Sequence, residues 1–298
     1  MPSREKILMQ QVMGALLEDV GAGDITSLST IDDSIMGEAE IIAKSDGIVC
    51  GLPLCELTFL KVDSQIEVES FITDGQPFTA GDRIALVSGR YRSILTAERT
   101  ALNFLMHLSG VASLTNKMVK TAGPDKVRIL DTRKTTPGLR YIEKYAVATG
   151  GGENHRYGLY DMVLIKDNHI AAVGSITSAV ERVREYLASE KYLKIFHTDP
   201  ANCDIEVEVE TMEQLKETLD CGVERILLDN KSPEHLKEMV ALAREHENGT
   251  GVTLEASGNI TLDTVAEVSQ TGVDYISIGA LTHSAPASDF SLKIVSSA

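Results

Sequence analysis

Positive charge is concentrated in one short stretch of this chain, "ILDTRKTTPGLR" at residues 129–140. Its first half is an apolar, strand-like run, and Arg133, Lys134 and Arg140 follow that run. A guanidinium binds a carboxylate or phosphate through two parallel hydrogen bonds, and a lysine offers a compact charge. Because the whole chain has a formal net charge of −16, these cations would focus the local field on an anionic ligand. The alternative is a solvated loop, which this stretch alone does not exclude.

A second group of cations lies around the next apolar run, "DMVLIKDN" at residues 161–168. His155 and Arg156 precede it in "GGGENHRYG", and Lys166 ends it. The three glycines would let the backbone approach a ligand closely. Together with the first cluster, these residues predict a small substrate that carries several negative groups.

Carboxylates end the next two apolar runs. Glu206, Glu208 and Glu210 alternate along "DIEVEVE", and Asp229 ends "VERILLDN". Alternation places the three glutamates on one face of a strand. If that face is solvated, the run is an ordinary amphipathic strand. If it faces the mouth of a barrel, Glu208 and Asp229 would suit Mg²⁺, which prefers oxygen ligands and bridges to substrate phosphates.

Glycines follow the last two apolar runs, in "EASGNI" and "SIGALTHS". Ser257 and Gly258 come just before a helix that we expect to begin near Thr261. Backbone N–H groups at a helix start bind anions, and glycine permits close approach. Either motif alone could be an ordinary turn. The pair, in the last two units, favours a phosphate site.

The elements that must position these residues alternate regularly. From residue 123 onward, apolar runs rich in β-branched residues are separated by amphipathic helical stretches, which predicts right-handed βαβ units and a parallel sheet. The first run lacks the glycine fingerprint of a dinucleotide-binding sheet. Ionisable residues at successive strand ends are typical of an α/β barrel with its active site at the carboxyl face. The runs lie at residues 127–132, 161–168, 204–210, 223–230, 251–258 and 273–280.

The first part of the chain has a different pattern. It predicts a helix over residues 3–20, several short strands, and a long helix over 93–122 with an interruption near Ser109 and Gly110. We therefore expect an N-terminal α+β domain at residues 1–112 and a barrel domain at 113–284. Residues 285–298 are expected to pack back on the N-terminal domain.

Composition excludes several classes of protein. The acidic balance argues against nucleic acid as a partner, since phosphate backbones require a basic face. No apolar run approaches the ~18 residues that a membrane span needs. The four cysteines show no CxxC pairing, which argues against a zinc site. With an N-terminal stretch that resembles an amphipathic helix rather than a signal peptide, they predict a cytoplasmic protein.

From "GAGDITS" at residues 21–27 to the C-terminus, the chain resembles the quinolinate phosphoribosyltransferases, the carboxylating nicotinate-nucleotide pyrophosphorylases of NAD biosynthesis, and further motifs carry the resemblance. They are "TAERTALN", "DTRKTTPGLR", "GGGENHRYGL", "IKDNH", "EVEVE", "LLDN", "EASGNI" and "GALTHS". The resemblance implies an α/β fold, with an N-terminal open-faced sandwich and an incomplete, seven-stranded α/β barrel. It also implies a homodimer with shared active sites, or a hexamer built as a trimer of dimers.

The activity implied by the resemblance is transfer of a phosphoribosyl group from phosphoribosyl pyrophosphate to quinolinate, with Mg²⁺ as cofactor. Decarboxylation would accompany the transfer, giving nicotinate mononucleotide, CO₂ and pyrophosphate. The reaction accounts for the cationic clusters, because both substrates carry several negative charges.

The resemblance also implies roles for individual residues. The catalytic residues would be Lys134, Glu208 and Asp229, with Lys134 near phosphoribosyl pyrophosphate and the two acids at the ribose hydroxyls and Mg²⁺. The quinolinate carboxylates would be bound by Arg133, His155, Arg156 and Lys166, and by Arg99 from the partner subunit. The 5′-phosphate would lie against Ser257, Gly258, Gly279 and His283, and Asn259 beside them would also bind substrate.

Three alternatives stay open. One is a Schiff-base aldolase with Lys166 as nucleophile, and another is a relative of the same fold associated with molybdenum transport genes. The third is a non-catalytic nucleotide sensor. Two stretches depart from the family pattern: residues 192–204 are longer than usual, and Met106 and His107 stand where polar or basic residues are expected.

Overall fold

The computed structural model describes residues 3–123, 127–197 and 199–297, with side chains described to residue 295. The chain divides into two compact units. The first contains the residues up to Asn116, Thr135–Gly151 and the residues from Ala280 onward. The second contains Lys117–Lys134 and Gly152–Gly279. The linear domain boundaries at 112 and 284 stay a proposal.

Residues 3–123 form four helices and five strands. The helices are α1 (Arg4–Asp19), α2 (Ile25–Thr30), α3 (Leu52–Val62) and α4 (Tyr91–Ala122). The strands are β1 (Met36–Ala43), β2 (Gly47–Ile48), β3 (Glu67–Ser70), β4 (Pro77–Phe78) and β5 (Arg83–Arg90). The helix predicted at the N-terminus is confirmed as α1, which Ser3 caps by accepting a hydrogen bond from the Lys6 N–H.

Seven strands and eight helices follow among the described residues from 127 onward. The strands are β6 (Arg128–Leu130), β7 (Val163–Ile165), β8 (Ile205–Val209), β9 (Arg225–Asp229), β10 (Thr253–Ser257), β11 (Tyr275–Ser277) and β12 (Phe290–Ser297). The helices are α5 (Arg140–Thr149), α6 (Asp167–Val173), α7 (Ile176–Leu187), α8 (Glu190–Phe196), α9 (Met212–Asp220), α10 (Pro233–Glu245), α11 (Val265–Val268) and α12 (Ala280–His283). None of the described helices combines the length and hydrophobicity needed to cross a membrane.

The long helix α4 continues through Ser109 and Gly110, so the predicted interruption there is wrong. Small residues stand at these positions because other segments of the first unit approach the helix closely. The Ser109 hydroxyl donates to the Cys50 carbonyl at 3.1 Å. A side chain at Gly110 would collide with the Pro286 carbonyl. Glycine in this helix therefore serves packing rather than a break in the helix.

The first unit is built on an antiparallel sheet with the strand order β12–β1–β5–β3, beside a two-stranded ribbon of β2 and β4. β1 pairs with β12 from Gly37 opposite Ser297 to Ala43 opposite Phe290. Buried side chains of the sheet, among them Ile41 and Val87, pack in one core with side chains of α3 and α4, among them Phe59. The last strand of the chain is thus part of the N-terminal sheet.

The second unit contains a six-stranded parallel sheet with the order β6–β11–β10–β9–β8–β7. The predicted α/β class, with an antiparallel sheet domain ahead of a parallel sheet, is confirmed. A single parallel bridge pairs Leu130 of β6 with Glu153, which lies outside the strands named above. There the Glu153 N–H donates to Ile129 and its carbonyl accepts from Asp131. Within the described residues, this bridge is all that forms of the seventh strand that the family resemblance implies.

The long stretch 192–204 includes the end of α8 and a 3₁₀ turn at Pro200–Asn202; Thr198 lies outside the described residues. The Tyr192 ring stacks on Phe196 at 5.0 Å between centroids and meets Tyr186 edge-on at 6.1 Å. Aromatic pairs at such distances stabilise the contact between helices. The insertion is therefore anchored on α7 by aromatic packing.

Candidate active site

A cavity of about 430 Å³ lies at the carboxyl ends of the parallel strands of the second unit. Its volume is in the range of small-molecule binding sites. Every residue that lines it belongs to the second unit. The lining residues are Thr132, Arg133, Lys134, His155, Arg156, Leu164, Lys166, Glu208, Leu227, Asp229, Glu255, Ser257 and Ser277.

Parallel pairing explains why these residues meet. Asp229 is in register with Ser257, and Ser257 is in register with Ser277. On β6, Leu130 is in register with Ser277 and lies shortly before Arg133 and Lys134. Carboxyl ends of parallel strands lie at one edge of the sheet. Residues far apart in the sequence are therefore neighbours around the cavity.

The three alternating glutamates in and just after β8 differ in their exposure to solvent. Glu206 is fully buried, Glu208 is partly buried and lines the cavity, and Glu210 is exposed at the strand end. Val207 and Val209, on the opposite face, are also fully buried. A strand that is buried on both faces is typical of a parallel sheet covered by helices. The alternative of a solvated amphipathic strand is therefore wrong.

Lys166 and Glu208 form an ion pair across neighbouring strands. Lys166 follows β7 directly, and its Nζ contacts Glu208 Oε2 on β8. The Lys166 side chain is 43% exposed and that of Glu208 is 13% exposed. The ammonium group therefore faces the open part of the cavity, whereas the carboxylate is set deeper. Such a pair can hold a positive and a negative charge ready for different parts of a substrate.

Two guanidinium groups lie near one another in the cavity wall. Arg156 Nη1 donates to the Met162 carbonyl at 3.0 Å, which fixes the side chain. Burial lowers the pKa of Arg156, and the nearby charge of Arg133 lowers it further. Like charges held close together in a partly buried place favour an anion between them. The electrostatics therefore suit a negatively charged ligand.

Oxygen donors suitable for a hard divalent cation are present in the same cavity. Glu208 and Asp229 lie at the ends of the adjacent strands β8 and β9, and both line the cavity. Asp229 is half-buried, so its carboxylate remains accessible from the cavity. Carboxylates in this arrangement fit Mg²⁺, which takes one or two protein carboxylates and completes its coordination with water and substrate oxygens.

A buried cluster of ionisable side chains lies behind His155. His155 Nε2 is 3.0 Å from Glu206 Oε2 and 3.5 Å from Glu255 Oε2. Arg225 Nη1 is 3.5 Å from the same Glu255 oxygen. Burial raises the pKa of Glu206 to about 7, and burial together with the nearby Glu206 raises that of Glu255 to about 8. Both shifts arise because a low-dielectric interior disfavours the charged carboxylate.

The raised pKa of Glu255 predicts a pH-dependent stability. The folded chain holds a proton that the unfolded chain releases, so stability present at low pH is lost as pH rises from 4.5 towards about 8. The Glu255→Gln variant keeps a neutral side chain and should show a shallower decline in the free energy of unfolding. Urea titrations at several pH values between 5 and 8.5 measure this decline, with exposed Glu210→Gln as the control. Parallel curves for wild type and Glu255→Gln would contradict the assignment.

The loop after β10 has an unusual backbone. Gly258 has a φ of 99°, and a Cβ there would lie 2.9 Å from the Cα of Asn230. Asn230 and Asn259 also adopt left-handed conformations, with φ of 55° and 52°. Asn259 Nδ2 donates to Asn230 Oδ1 at 3.0 Å, and the Asn230 N–H donates to the Ser257 carbonyl at 2.8 Å. Left-handed residues other than glycine are concentrated at functional sites.

The helix expected near Thr261 begins later, because α11 starts at Val265. Thr261 lies in a turn ahead of that helix, and its carbonyl accepts from the N–H groups of Thr264 and Val265 at 3.2 and 2.9 Å. The expectation that a helix N-terminus follows directly on Ser257 and Gly258 is therefore wrong. Any anion at this loop would have to be bound by the loop itself rather than by a helix end.

The structure does not bring all the predicted site residues to the cavity wall. Most of them line it: Arg133, Lys134, His155, Arg156, Lys166, Glu208, Asp229 and Ser257. Gly258, Asn259 and Gly279 belong to the same unit but are not lining residues. Arg99 and His283 belong to the first unit. Arg99 lies on α4 and lines a separate pocket with Asp19, Asp24 and Thr96, and His283 Nδ1 lies 2.6 Å from the Ser284 hydroxyl.

Several residues of the site were not predicted as site residues. Thr132, Leu164, Leu227, Glu255 and Ser277 line the cavity. Thr132, Leu164 and Ser277 lie at or near the carboxyl end of a strand, which was a usable signal, whereas Leu227 and Glu255 lie in the middle of β9 and β10. The left-handed Asn230 was also missed, although it follows Asp229 directly in the "LLDN" motif.

His107, one of the two departures from the family pattern, has a defined partner in the first unit. Its Nε2 lies 2.9 Å from Glu143 Oε1, and Glu143 is fully buried. The other oxygen of Glu143 accepts from the Thr136 N–H at 3.0 Å. The pair therefore holds the "TTPG" turn in place.

Comparisons with known proteins agree over almost the whole chain. Residues 24–109 match the model of the quinolinate phosphoribosyl transferase N-terminal domain, and residues 111–293 match that of the C-terminal domain. The chain is 46% identical over 292 residues to the chloroplastic nicotinate-nucleotide pyrophosphorylase [carboxylating] of Arabidopsis thaliana, a match that covers 94% of this chain and 80% of that protein. It is 41% identical over 278 residues to a probable nicotinate-nucleotide pyrophosphorylase [carboxylating] of Bacillus subtilis, covering 93% and 90% respectively.

Solved structures show the same likeness. The structure of the nicotinate-nucleotide pyrophosphorylase from Francisella tularensis is 38% identical in sequence and superposes with a TM-score of 0.89. The match covers 99% of this chain and 98% of that one. Sequence and structure thus point to one family.

Proposed function

This chain belongs to the quinolinate phosphoribosyl transferase family, and we propose that it transfers the phosphoribosyl group of phosphoribosyl pyrophosphate to quinolinate with decarboxylation. The products would be nicotinate mononucleotide, CO₂ and pyrophosphate, on the route to NAD. The observation that carries the proposal is the cavity itself, in which the cations Arg133, Arg156 and Lys166 lie with the carboxylates Glu208 and Asp229. A dianionic pyridine and a polyanionic sugar phosphate require this combination of charges.

Quinolinate is proposed to bind at the cationic side of the cavity. Arg133 and Arg156 can each bind a carboxylate with two hydrogen bonds, and Lys166 offers a compact charge. His155 forms the wall beside them, with its side chain only 6% exposed. Holding both carboxylates fixes the pyridine nitrogen relative to the sugar, and such positioning accounts for a large share of catalysis in transfer reactions.

Phosphoribosyl pyrophosphate is proposed to bind along the ends of β8 to β11. Lys134 would bind its phosphates, and Glu208 and Asp229 would bind the ribose hydroxyls. The 5′-phosphate is assigned to the segments that follow β10 and β11, at Ser257, Gly258, Asn259, Gly279 and His283. The loop at Gly258 and Asn259 supports this part of the assignment. Both residues have left-handed backbone conformations, and the loop is fixed by the hydrogen bond from the Asn259 side chain to Asn230.

Mg²⁺ is the proposed cofactor, with Glu208 and Asp229 as the protein residues that would hold it directly or through water and substrate. When bound, the ion would supply positive charge to the departing pyrophosphate. Two carboxylates on adjacent strands of one cavity support this proposal.

The proposed reaction needs no covalent nucleophile. The bond between C1 of the ribose and pyrophosphate breaks, and the electron pair leaves with pyrophosphate. Glu208 and Asp229 stabilise the positive charge that develops on the sugar. The pyridine nitrogen then forms the new bond to C1, which makes the ring cationic. The bond to the 2-carboxylate breaks, the ring accepts its electron pair as CO₂ leaves, and a proton replaces it at C2.

The first experiment is a product assay with phosphoribosyl pyrophosphate, Mg²⁺ and quinolinate labelled at the 2-carboxylate, with nicotinate in parallel. Release of labelled CO₂ together with nicotinate mononucleotide, and no product from nicotinate, would support the proposal. Product from nicotinate alone would identify a transferase with a different acceptor. No product from either substrate would favour the transport-associated relative or a nucleotide sensor.

We also propose a homodimer with shared active sites, which can associate further as a trimer of dimers. Arg99 would bind quinolinate in the partner's site. Its place on α4 beside Asp19, Asp24 and Thr96 supports a role outside the cavity of its own second unit. A cytoplasmic location is proposed as well, since the four cysteines are all unpaired.

Shared sites predict complementation between impaired variants. At quinolinate concentrations well below KM, Arg99→Ala and Lys166→Ala should each retain about a tenth of wild-type activity or less, because each removes a cation for quinolinate. After subunit exchange in an equal mixture, about half the dimers would be mixed and each would contain one intact site, giving about a quarter of wild-type activity. The measurement is the rate of product formation before and after exchange. No recovery, with exchange shown by differently tagged subunits, would count against the shared site.

A further inference from the structure

We infer that Glu206 and Glu255 are positioning residues, which fix the ring of His155 and, through that ring, the backbone of Arg156 in the cavity wall. The inference rests on the proposed function, because the wall is taken to bind quinolinate. Neither glutamate belongs to the proposed set of substrate-binding residues. Their role follows from the contacts of His155 on both of its ring nitrogens.

The first contact is between His155 and the residue that follows it. The backbone N–H of Arg156 donates to His155 Nδ1 at 2.7 Å. A nitrogen that accepts a hydrogen bond has no proton of its own, so the ring proton of His155 must be on Nε2. The backbone N–H of His155 donates in turn to Asp131 Oδ1 at 2.9 Å. Side chain and backbone are thus both fixed.

The second contact explains why the proton stays on Nε2. Glu206 Oε2 lies 3.0 Å and Glu255 Oε2 lies 3.5 Å from this nitrogen. Both glutamates are fully buried. A proton on Nε2 lies close to these carboxyl oxygens, whereas the other tautomer would place the bare nitrogen against Glu206 Oε2. The pair of glutamates therefore selects one tautomer and one ring orientation.

Arg225 keeps this acidic pair in place. Its strand, β9, lies between β8 with Glu206 and β10 with Glu255. Its Nη1 is 3.5 Å from Glu255, and its guanidinium lies over the Tyr275 ring at 4.4 Å from the centroid. Two carboxyl groups without a nearby cation would be costly to bury. The cluster therefore has its own structural support and does not depend on a bound substrate.

The consequence for the cavity is a preformed wall. The Arg156 backbone is held by the His155 ring, and its guanidinium is held by the Met162 carbonyl. A binding group that is fixed before the ligand arrives loses less conformational entropy on binding. Disturbing the acidic pair should therefore raise KM for quinolinate while leaving KM for phosphoribosyl pyrophosphate nearly unchanged.

The test measures the tautomer of His155 directly. The chain has seven histidines, and the ¹⁵N resonances of His155 can be assigned by comparison with the His155→Gln variant. We expect the proton on Nε2 in the wild-type protein without substrate. In Glu206→Leu and Glu255→Leu that preference should weaken. Glu206→Gln and Glu255→Gln should retain it, because an amide oxygen at the same place also attracts the Nε2 proton.

Kinetics provide the second measurement. Each leucine variant should raise KM for quinolinate about two- to tenfold, as expected for the loss of an ordered binding group, and each glutamine variant should recover most of that loss. Exposed Glu210→Leu, directly after the strand that carries Glu206, is the matched control and should behave as wild type. Equal increases in both KM values would indicate a merely structural role and overturn the inference.

A wild-type His155 with its proton on Nδ1 would also overturn the inference, and this result does not depend on any variant folding. An unchanged tautomer in folded leucine variants would do the same. If the wild-type protein instead shows the expected tautomer but no turnover of quinolinate, the proposed function fails while the role of the two glutamates in fixing His155 stands.

Discussion

The Lys166→Ala variant should lose about 10- to 100-fold in kcat/KM for quinolinate, since a hydrogen bond to a charged group contributes about 1.5–3 kcal/mol. Two effects act together. The variant removes a cation from the cavity, and it leaves the Glu208 carboxylate without its partner next to an anionic substrate. The loss in kcat/KM should appear mainly as a higher KM for quinolinate. Steady-state rates at saturating phosphoribosyl pyrophosphate measure it.

Two further variants make the result for Lys166 specific. Lys166→Arg keeps the charge and should recover part of the affinity. Lys237→Ala removes an exposed lysine from α10, outside the cavity, and should behave as wild type. An unchanged KM for quinolinate in a folded Lys166→Ala protein would refute the assignment of this residue to the substrate.

The Glu208→Gln variant should lose turnover rather than affinity. Glutamine keeps the shape of the side chain but removes the negative charge that would stabilise the developing positive charge on the ribose. Loss of one preorganised electrostatic group of this kind typically lowers kcat by about 10²–10³. Both KM values should change by much less. The measurement is kcat under saturation with both substrates and Mg²⁺.

Glu210→Gln is the matched control for this prediction, because Glu210 follows the same strand but is exposed. It should retain the wild-type turnover number. A Glu208→Gln protein with wild-type kcat would exclude the electrostatic role. A protein with normal kcat but a raised requirement for Mg²⁺ would restrict Glu208 to metal binding.

The carboxyl-edge cavity was predictable from sequence because its signal is local. Each βαβ unit places the residue after its strand at the same edge, so strand position alone groups Arg133, Lys166 and Asp229. The class of fold followed from the same alternation. The sign of the charges and their positions in the strands were sufficient to predict the cavity, and side-chain packing did not have to be known.

The buried cluster behind His155 was not predictable in the same way. Glu206 appeared as one of three alternating glutamates, and nothing in the pattern distinguishes the buried one from exposed Glu210. Its contact with His155 depends on how the strands and the segment before β7 are placed relative to one another. The pair of His107 and Glu143 was unpredictable for the same reason, because it joins two helices that are separated along the chain.

The predicted start of α11 was wrong for a local reason that composition conceals. Asparagine is one of the few residues that tolerate a left-handed backbone, and here Asn259 continues the left-handed conformation of Gly258. Serine and glycine are common where helices begin, so the residues after β10 favour a helix start on composition. A turn closed by the Thr261 carbonyl comes first, and the helix itself starts at Val265.

The pairing of β12 with β1 also has a consequence for how the chain acquires its fold. Ala43 pairs with Phe290, and the second unit is synthesised almost entirely between them. On the ribosome, the N-terminal sheet therefore presents an open edge at β1 until the residues of β12 emerge. Contacts between such distant segments form slowly, and open strand edges invite association with other chains. The parallel sheet, whose strands are all translated earlier, has the opportunity to fold first.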